Sequence, residues 1–157
     1  DAKLAAKGRR VIEARLRALG MDLAAVEVVA HDEAALAAAL RRGAGVVSGC
    51  DMVLILTGSA TSDLHDTAPQ ALRAAGGDVL RFGMPVDPGN LLFLGELMGR
   101  PVVGLPGCAR SPALNGADWV LERLACGLAV TADDIAAMGV GGLLKEIPIR
   151  PQLREPK

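Results

Sequence analysis

The chain alternates between two kinds of hydrophobic pattern, one typical of helices and one typical of strands. Apolar positions with a helical period, bounded by residues typical of helix ends, occur in five segments. These predicted helices are residues 9–19 before Gly20, residues 33–42 before Gly43, residues 67–75 before Gly76, residues 111–124 opened by Ser111 and Pro112, and a short helix up to Gly139 opened by the capping-box pattern of residues 131–134.

Between the predicted helices lie short apolar runs of strand length, at residues 26–30, 51–57 and 79–82. The run at residues 51–57 is of the kind that is buried on both faces of a parallel sheet. Residues 91–94 and 102–105 flank a turn, which indicates either a hairpin or two sheet edges. The alternation predicts an α/β fold: a three-layer, doubly wound, mostly parallel sheet with helices on both faces.

Chain length and the proline content of the last residues define the expected domain organisation. The 157 residues suffice for one domain with one core. We expect this domain to span residues 1–146, and we expect residues 147–157, which contain three prolines, to form a linker-like tail. Residues 1–10 are charged and lack an apolar core segment, so no secretory signal is expected.

Composition excludes several classes of function. The chain has 17 Lys and Arg against 18 Asp and Glu, and its two Phe and one Trp leave almost nothing on which bases could stack. Nucleic acid is therefore not an expected partner, and no apolar run is long enough to cross a membrane. The three cysteines are odd in number and widely spaced, which favours a reducing cytoplasm over a disulfide framework or a zinc site.

Polar loops follow the predicted strands, where open parallel sheets bind their ligands. These loops are residues 31–33, 57–66, 83–90 and 104–111. Because the carboxyl ends of parallel strands meet at one edge of a sheet, we expect the four loops to build a single site.

The loop at residues 57–66 favours an anion. It offers four hydroxyl groups and a glycine ahead of a helix N-terminus, although it lacks the lysine and second glycine of a P-loop. Asp63 and Asp66 would repel a phosphate unless a cation such as Mg²⁺ lies between them. Alternatively, Asp66 only caps the helix that begins at Thr67.

Four further residues of these loops allow two interpretations each. Arg110 either meets a phosphate or is a solvated surface arginine. Cys108 either is reactive near a helix N-terminus or fills space. His31 beside Asp32 is either half of a metal pair or part of the polar entry to a helix. Ser59 could serve a hydrolase, but no G-x-S-x-G turn surrounds it.

The ordered loops resemble those of the molybdopterin-binding domain family, which includes molybdopterin adenylyltransferases, gephyrin domains and molybdate-insertion enzymes. Residues 57–69 (TGSATSDLHDTAP) resemble its signature T-G-G-T-G-x-x-x-R-D-x-x-P, residues 84–89 its PG-containing motif and residues 104–107 its L-P-G motif. Residues 30–33 resemble the acidic loop that opens the family's second helix. The resemblance covers roughly residues 8–128.

The resemblance is closer to a bacterial subgroup in which such a domain precedes a nucleotidyltransferase that makes molybdopterin cytosine dinucleotide. The stretches that resemble this subgroup are residues 84–90, 107–112 and 138–143. The resemblance also implies that the family's opening strand, which precedes the first helix, is not part of the 157 residues. The resemblance to this subgroup implies a nucleotidyltransferase partner, fused or in trans. The resemblance to the family implies a homo-oligomer, because related domains are often trimers or dimers.

The resemblance implies a set of site residues. Asp32 and Asp66 match the family's two catalytic-type aspartates and would also hold Mg²⁺. The remaining residues expected to bind molybdopterin or its nucleotide form are Thr57, Gly58, Ser59, Thr61, Ser62, Pro88, Gly89, Asn90, Pro106, Gly107, Arg110 and Ser111.

Several positions depart from the family pattern and bear on activity. The second glycine, the threonine and the third glycine of the signature are replaced by Ser59, Ala60 and Thr61. The Cβ at each former glycine restricts close approach of the backbone to phosphate. His65 replaces an arginine and its permanent charge, and Asn90 stands where a lysine is usual. Cys108 stands where the insertion and gephyrin domains have asparagine.

These departures favour a binding module that holds molybdopterin, or a nucleotide form of it, for a nucleotidyltransferase. The alternative within the family is an adenylyltransferase that uses Mg-ATP, in which Asp32 and Asp66 position the cation. An alternative outside the family is a metal-dependent phosphate-ester hydrolase that uses the same acidic loop.

Overall fold

The computed structural model describes residues 2–45 and 49–139. Its helices are α1 (Ala2–Ala18), α2 (Glu33–Ala44), α3 (Thr67–Ala74), α4 (Gly116–Ala125) and α5 (Ala132–Ala137). Its strands are β1 (Val53–Ile55), β2 (Asp78–Phe82), β3 (Phe93–Leu97) and β4 (Arg100–Gly104), and a short 3-10 helix spans Gly107–Arg110. The expected linker at residues 147–157 and most of residues 138–143 lie outside the described residues.

The four strands form one sheet in the order β1-β4-β3-β2. β1 and β4 are parallel, whereas β3 is antiparallel to both of its neighbours. The α/β class is confirmed, and the expectation of a mostly parallel sheet is corrected to a mixed one. The reason is the turn between β3 and β4: Met98 and Gly99 both have positive φ, 54° and 75°, which is the backbone of a tight hairpin and forces the two strands to run in opposite directions.

Helices lie on both faces of the sheet, which confirms the three layers. On one face, α1, α4 and α5 pack on the sheet through a core cluster that includes Ile12, Val103 and Leu121. On the other face, α2 and α3 form a cluster that includes Leu72 and Val102. Val102 and Val103 are adjacent and point to opposite faces, as the pleat of a strand requires. Leu72 and Leu121 are fully buried, and truncation of either to Ala would cost about 2–5 kcal/mol.

Most predicted helix boundaries are confirmed within a few residues, although α1 begins at Ala2, seven residues before its predicted start. Gly20 and Gly76 have φ of 73° and 94° just beyond α1 and α3, the left-handed backbone that glycine tolerates best. The capping box at the start of α5 is present, because the Thr131 hydroxyl accepts from the Asp134 N–H while the Asp134 carboxylate accepts from the backbone of Thr131. Helix α2 continues through Gly43 and ends at Ala44.

Two predicted elements are wrong. Residues 26–30 form no strand: Val26 and Val28 are 48% and 75% exposed, and no described strand pairs with this segment. A β-branched run gains nothing from strand geometry without a neighbour to share its backbone hydrogen bonds. The helix predicted from residue 111 begins instead at Gly116, because Asn115 and Asp118 form a capping box that starts it there.

Candidate functional site

The register of the sheet brings one end of every strand to the same edge. Ile55 at the end of β1 lies opposite Gly104 at the end of β4, and Gly104 lies opposite Phe93 at the start of β3. Phe93 in turn lies opposite Phe82 at the end of β2. These four residues form one row across the sheet, and we call the edge beyond them the rim. The segments that follow β1, β2 and β4 all leave the sheet at the rim.

The loop after β1 is held by its own hydroxyl groups. The Thr57 hydroxyl donates to the Ser59 carbonyl at 2.5 Å and lies 3.4 Å from the Thr61 hydroxyl. Thr61 is 7% exposed, so its hydroxyl belongs to the interior of the loop. Gly58 is exposed, and a Cβ added there would meet no atom within 4 Å. The backbone at Gly58 is therefore open to a bound molecule.

Asp66 occupies the N-cap position of α3, yet its side chain makes no capping hydrogen bond to that helix. The carboxylate turns back and accepts from the backbone N–H of Ser62, from the Ser62 hydroxyl at 2.9 Å and from the N–H of Asp63 at 3.3 Å. The bonds from Ser62 lower the pKa of Asp66, with a smaller contribution from Asp63 and from the charge of His31. The interpretation of Asp66 as a simple cap of α3 is wrong.

Asp32 behaves in the opposite way. It is the N-cap residue of α2, and its carboxylate accepts from the N–H of Ala35 at 2.9 Å. This is the ordinary use of aspartate at a helix start. The influence of His31 on Asp66 and the packing of α2 against α3 place this loop next to the loop after β1. Asp32 thus belongs to a loop near that of Asp66, and it uses one oxygen to hold its own helix.

Arg110 joins the loop after β4 to the loop after β1. Its guanidinium donates to the Thr57 carbonyl, and another of its nitrogens lies 3.7 Å from where a Cβ on Gly107 would be. Arg110 is partly buried rather than fully solvated. Because it bridges two of the four predicted loops, Arg110 directly shows that they are neighbours.

The loop between β2 and β3 packs against the start of α4. The Gly116 N–H donates to the Pro88 carbonyl at 2.8 Å. Gly89 has φ of 129°, and a Cβ there would lie 2.6 Å from the Gly116 nitrogen. The glycine is therefore required by packing within the protein, whatever binds at the rim. Asn90 is exposed.

The predicted binding residues divide by exposure into two groups. Buried residues can only shape the loops, whereas the others have surface that a ligand can touch. Thr61, Gly89 and Pro106 are buried. The exposed or partly exposed members are Thr57, Gly58, Ser59, Ser62, Pro88, Asn90, Gly107, Arg110 and Ser111. Whether these residues contact a ligand stays a prediction.

The described residues do not form a self-sufficient metal site. Within residues 2–45 and 49–139 no three His, Cys, Asp or Glu side chains gather where they could hold one ion. Asp32 and Asp66 are thus two carboxylates without a third protein ligand of those types. They fit Mg²⁺ only in the manner in which one or two carboxylates share the ion with the oxygens of a bound phosphate.

Cys108 lies on the 3-10 helix with an intermediate exposure, and it is a free thiol. Burial raises the pKa of the Cys108 thiol, and the nearby carboxylates of Asp87 and Asp118 act in the same direction. A thiol that resists ionisation is a poor nucleophile at neutral pH. The environment of Cys108 therefore favours the space-filling interpretation.

Two residues near the rim escaped the sequence analysis. Arg15 on α1 reaches across to the segment between the 3-10 helix and α4, where it bonds Ser111, Ala113 and Asp118. No local pattern marks such a contact. Asn115 is 1% exposed, and its pattern Asn-x-x-Asp is a capping signal that could have located the start of α4.

No described helix is long and apolar enough to pass through a membrane.

A comparison with protein families matches residues 3–126 to the family model described as "Probable molybdopterin binding domain". The match spans all four loops at the rim. Searches of curated proteins and of solved structures gave no significant match.

Proposed function

Because the chain belongs to the family described as probable molybdopterin-binding domain, we propose that it binds molybdopterin, or a nucleotide form of it, at the rim. The proposal rests chiefly on one observation: the segments that follow β1, β2 and β4, which are distant in sequence, leave the sheet at a single edge. The bond from Arg110 to the Thr57 carbonyl joins the loop after β4 to the loop after β1. The electrostatic influence of His31 on Asp66 indicates that the loop at residues 31–33 is near them.

The loop after β1 is the best candidate for the phosphate group of the ligand. Ser59 and Ser62 are exposed hydroxyl residues, and Gly58 leaves the backbone accessible. Arg110 lies beside them with a permanent positive charge, which suits an anion. Together these groups supply hydrogen-bond donors and one cation without any lysine in the loop.

Asp66 is the best candidate for a contact with the pterin ring or with a cation bound to the phosphate. Its carboxylate accepts bonds from Ser62 and Asp63 on the loop side, so it is held ready without help from α3. A lowered pKa keeps it ionised at neutral pH. An ionised carboxylate can accept hydrogen bonds from the N–H groups of a pterin ring, or it can share a cation with the phosphate.

Mg²⁺ enters this proposal only together with the ligand. Asp66, assisted by Asp32, would hold the ion against the phosphate oxygens, because the described protein groups do not enclose it alone. When bound, Mg²⁺ would neutralise the repulsion between these carboxylates and the phosphate. Affinity that depends on Mg²⁺ would support this arrangement.

We propose a binding module in preference to an adenylyltransferase. Ser59 and Thr61 occupy the positions of two glycines in the family signature, and the Cβ at each limits how closely backbone N–H groups can surround a triphosphate. The second candidate, adenylyl transfer from Mg-ATP with Asp66 and Asp32 as the catalytic residues, is favoured by the ionised carboxylate of Asp66. A metal-dependent phosphate-ester hydrolase remains the alternative outside the family; it would turn over a phosphate ester without any pterin.

The biological setting follows from the same assignment. We propose a role in molybdenum cofactor biosynthesis in the cytoplasm, with a nucleotidyltransferase domain, fused or in trans, receiving the ligand. We also propose that the domain forms a homo-oligomer. Sedimentation of the purified chain would test the homo-oligomer, and a monomer at micromolar concentration would contradict it.

Calorimetry with purified molybdopterin, with and without Mg²⁺, tests the proposed function. The expected result is saturable binding of one pterin per chain, tightened by Mg²⁺. A parallel incubation with molybdopterin and Mg-ATP distinguishes the two candidates, since robust formation of the adenylated product would establish the enzyme. Absence of binding under both conditions would contradict both.

A further inference from the structure

Arg15 has a largely buried side chain that joins α1 to a distant segment of the chain. Its side chain is 9% exposed, and it pairs with Asp118 at 2.5 Å. The same guanidinium donates to the Ser111 carbonyl at 2.5 Å and to the Ala113 carbonyl at 2.9 Å. One side chain thus holds Ser111, Ala113 and Asp118, which lie within a stretch of eight residues. This stretch is about 100 positions away from Arg15 in the sequence.

The segment that Arg15 holds has little other support. Residues 111–114 are exposed and belong to no helix or strand. Immediately before them stands the 3-10 helix that ends at Arg110, and immediately after them stands Asn115, the N-cap of α4. Residues 111–114 therefore connect Arg110 at the rim directly to the start of α4.

Asp118 couples the ion pair to the start of α4. One of its carboxylate oxygens binds Arg15, while the other accepts from the backbone N–H of Asn115 at 2.8 Å. The N–H of Gly116, the first residue of α4, donates to the Pro88 carbonyl. Arg15 thus has a continuous line of contacts to two loops of the rim, the one after β4 and the one between β2 and β3.

We propose that Arg15 is a positioning residue for the pterin site, one that fixes residues 111–115 and, through them, Arg110 and the loop at Pro88. The inference rests on the proposed function for the identity of the ligand. Arg15 itself does not touch the ligand in this account. It acts because a guanidinium can satisfy one carboxylate and two carbonyls at once in a fixed plane, which a lysine cannot reproduce.

Arg41 offers a matched control. It is also an arginine that donates to two backbone carbonyls of another element, those of Ala74 and Ala75 at the C-terminal end of α3. That end of α3 is opposite to the end that carries Asp66 at the rim. Loss of Arg41 should remove two contacts to backbone carbonyls at a place far from the rim.

The test uses Arg15→Met, Arg15→Lys and Arg41→Met in the full chain, with molybdopterin as the titrated ligand. We expect Arg15→Met to weaken binding roughly tenfold, since small displacements of positioning groups have effects of at least that order. Arg15→Lys should recover part of the loss. Arg41→Met should lower the melting temperature but leave affinity within about twofold, because it lies outside the line of contacts.

Amide hydrogen exchange without ligand supplies a second readout. In Arg15→Met, exchange should increase across residues 107–118 and stay unchanged at the start of α3. Arg41→Met should leave residues 107–118 unchanged. If Arg15→Met leaves Asp118 unpaired and the protein unfolds, the double variant Arg15→Met, Asp118→Asn removes both charges and is measured instead.

The outcomes separate the two proposals. Normal affinity in a folded Arg15→Met protein, or unchanged exchange at residues 107–118, overturns the positioning role of Arg15. The proposed function still stands in that case if the wild-type protein binds molybdopterin. Equal loss of affinity in Arg41→Met also overturns it, because the loss would then follow from general stability. Failure of the wild-type protein to bind molybdopterin overturns the proposed function itself.

Discussion

Asp32 and Asp66 occupy equivalent positions in two neighbouring regions of the molecule, and they use their carboxylates differently. Each immediately precedes a helix at the rim, as the N-cap of α2 and of α3. Asp32 accepts from the N–H of Ala35 in the helix that it opens, whereas Asp66 turns away from its helix and accepts from Ser62 and Asp63. The first aspartate serves its helix, and the second is supported by its loop.

The difference teaches that position in a motif does not assign a role. A capping carboxylate is explained fully by the stability that it gives the helix. The Asp66 carboxylate instead holds the turn at residues 62–66 and is oriented by that loop, while α3 is left without a side-chain bond at its N-terminus. We infer that Asp66 is the residue that the ligand uses and that Asp32 mainly stabilises α2.

The largest expected effect is on ligand affinity at Asp66. Asp66→Ala and Asp66→Asn should each weaken molybdopterin binding by about 10- to 100-fold, the equivalent of one or two hydrogen bonds to a charged group. Titration calorimetry measures it, and circular dichroism checks that both variants fold. Wild-type affinity in both variants would show that the ligand does not use Asp66. The different hydrogen bonding of Asp32 and Asp66 would then have no bearing on ligand binding.

Gly89 and Gly58 show the same contrast between a residue that the fold requires and a residue that is open to a ligand. Gly89→Ala should lower the free energy of unfolding by about 2 kcal/mol, because a Cβ at positive φ is strained and would press on Gly116. Gly58→Ala should change stability by less than about 0.5 kcal/mol, since the position is open, while weakening ligand binding. Urea denaturation and calorimetry give both quantities, and a stability loss at Gly58 equal to that at Gly89 would contradict the distinction.

Asp32→Ala should lower the free energy of unfolding by about 1 kcal/mol, the typical loss of a helix cap. Asp32→Asn is the matched control, because asparagine caps as well as aspartate and should retain the stability. The same two variants should change molybdopterin affinity much less than the Asp66 variants do. A loss of affinity in Asp32→Asn comparable with that in Asp66→Asn would instead support two equivalent catalytic-type aspartates.

The smallest expected effect is on ionisation. The backbone N–H of Ser62 and, after it, the Ser62 hydroxyl lower the pKa of Asp66. Ser62→Ala removes only the hydroxyl and should therefore raise that pKa part of the way toward its ordinary value. A lowered folded-state pKa means that Asp66 adds stability above the unfolded value near 3.9, and that this stability is lost as pH falls through the folded pKa. Carboxyl-carbon NMR titration measures the shift, and Asp134, whose pKa is lowered by Thr131, serves as the unchanged reference.

The sequence predicted those parts of the fold that local rules determine. Helices with a clear period and a glycine beyond the end, such as α1 and α3, were confirmed because backbone conformation at Gly20 and Gly76 is a local property. The start of α4 was misplaced because two local signals competed, Ser111 with Pro112 and Asn115 with Asp118. The structure uses the pair that forms a capping box.

Features that depend on distant contacts could not be predicted. The run at residues 26–30 has strand composition, but strand formation needs a neighbour that sequence pattern does not supply. The grouping of the loops at one edge was expected, and the registers of β1, β3 and β4 produce it through a mixed sheet rather than a parallel one. The orientation of the Asp66 carboxylate and the reach of Arg15 belong to tertiary structure alone.

The most direct test of the central claim maps where the ligand binds. Amide hydrogen exchange of the chain with and without molybdopterin should show protection at residues 57–66, at residues 83–90 and at residues 107–111. The turn at Met98 and Gly99, which lies at the opposite edge of the sheet, should show none. Protection centred on that turn, or no protection at the three rim loops under saturating ligand, would contradict the account.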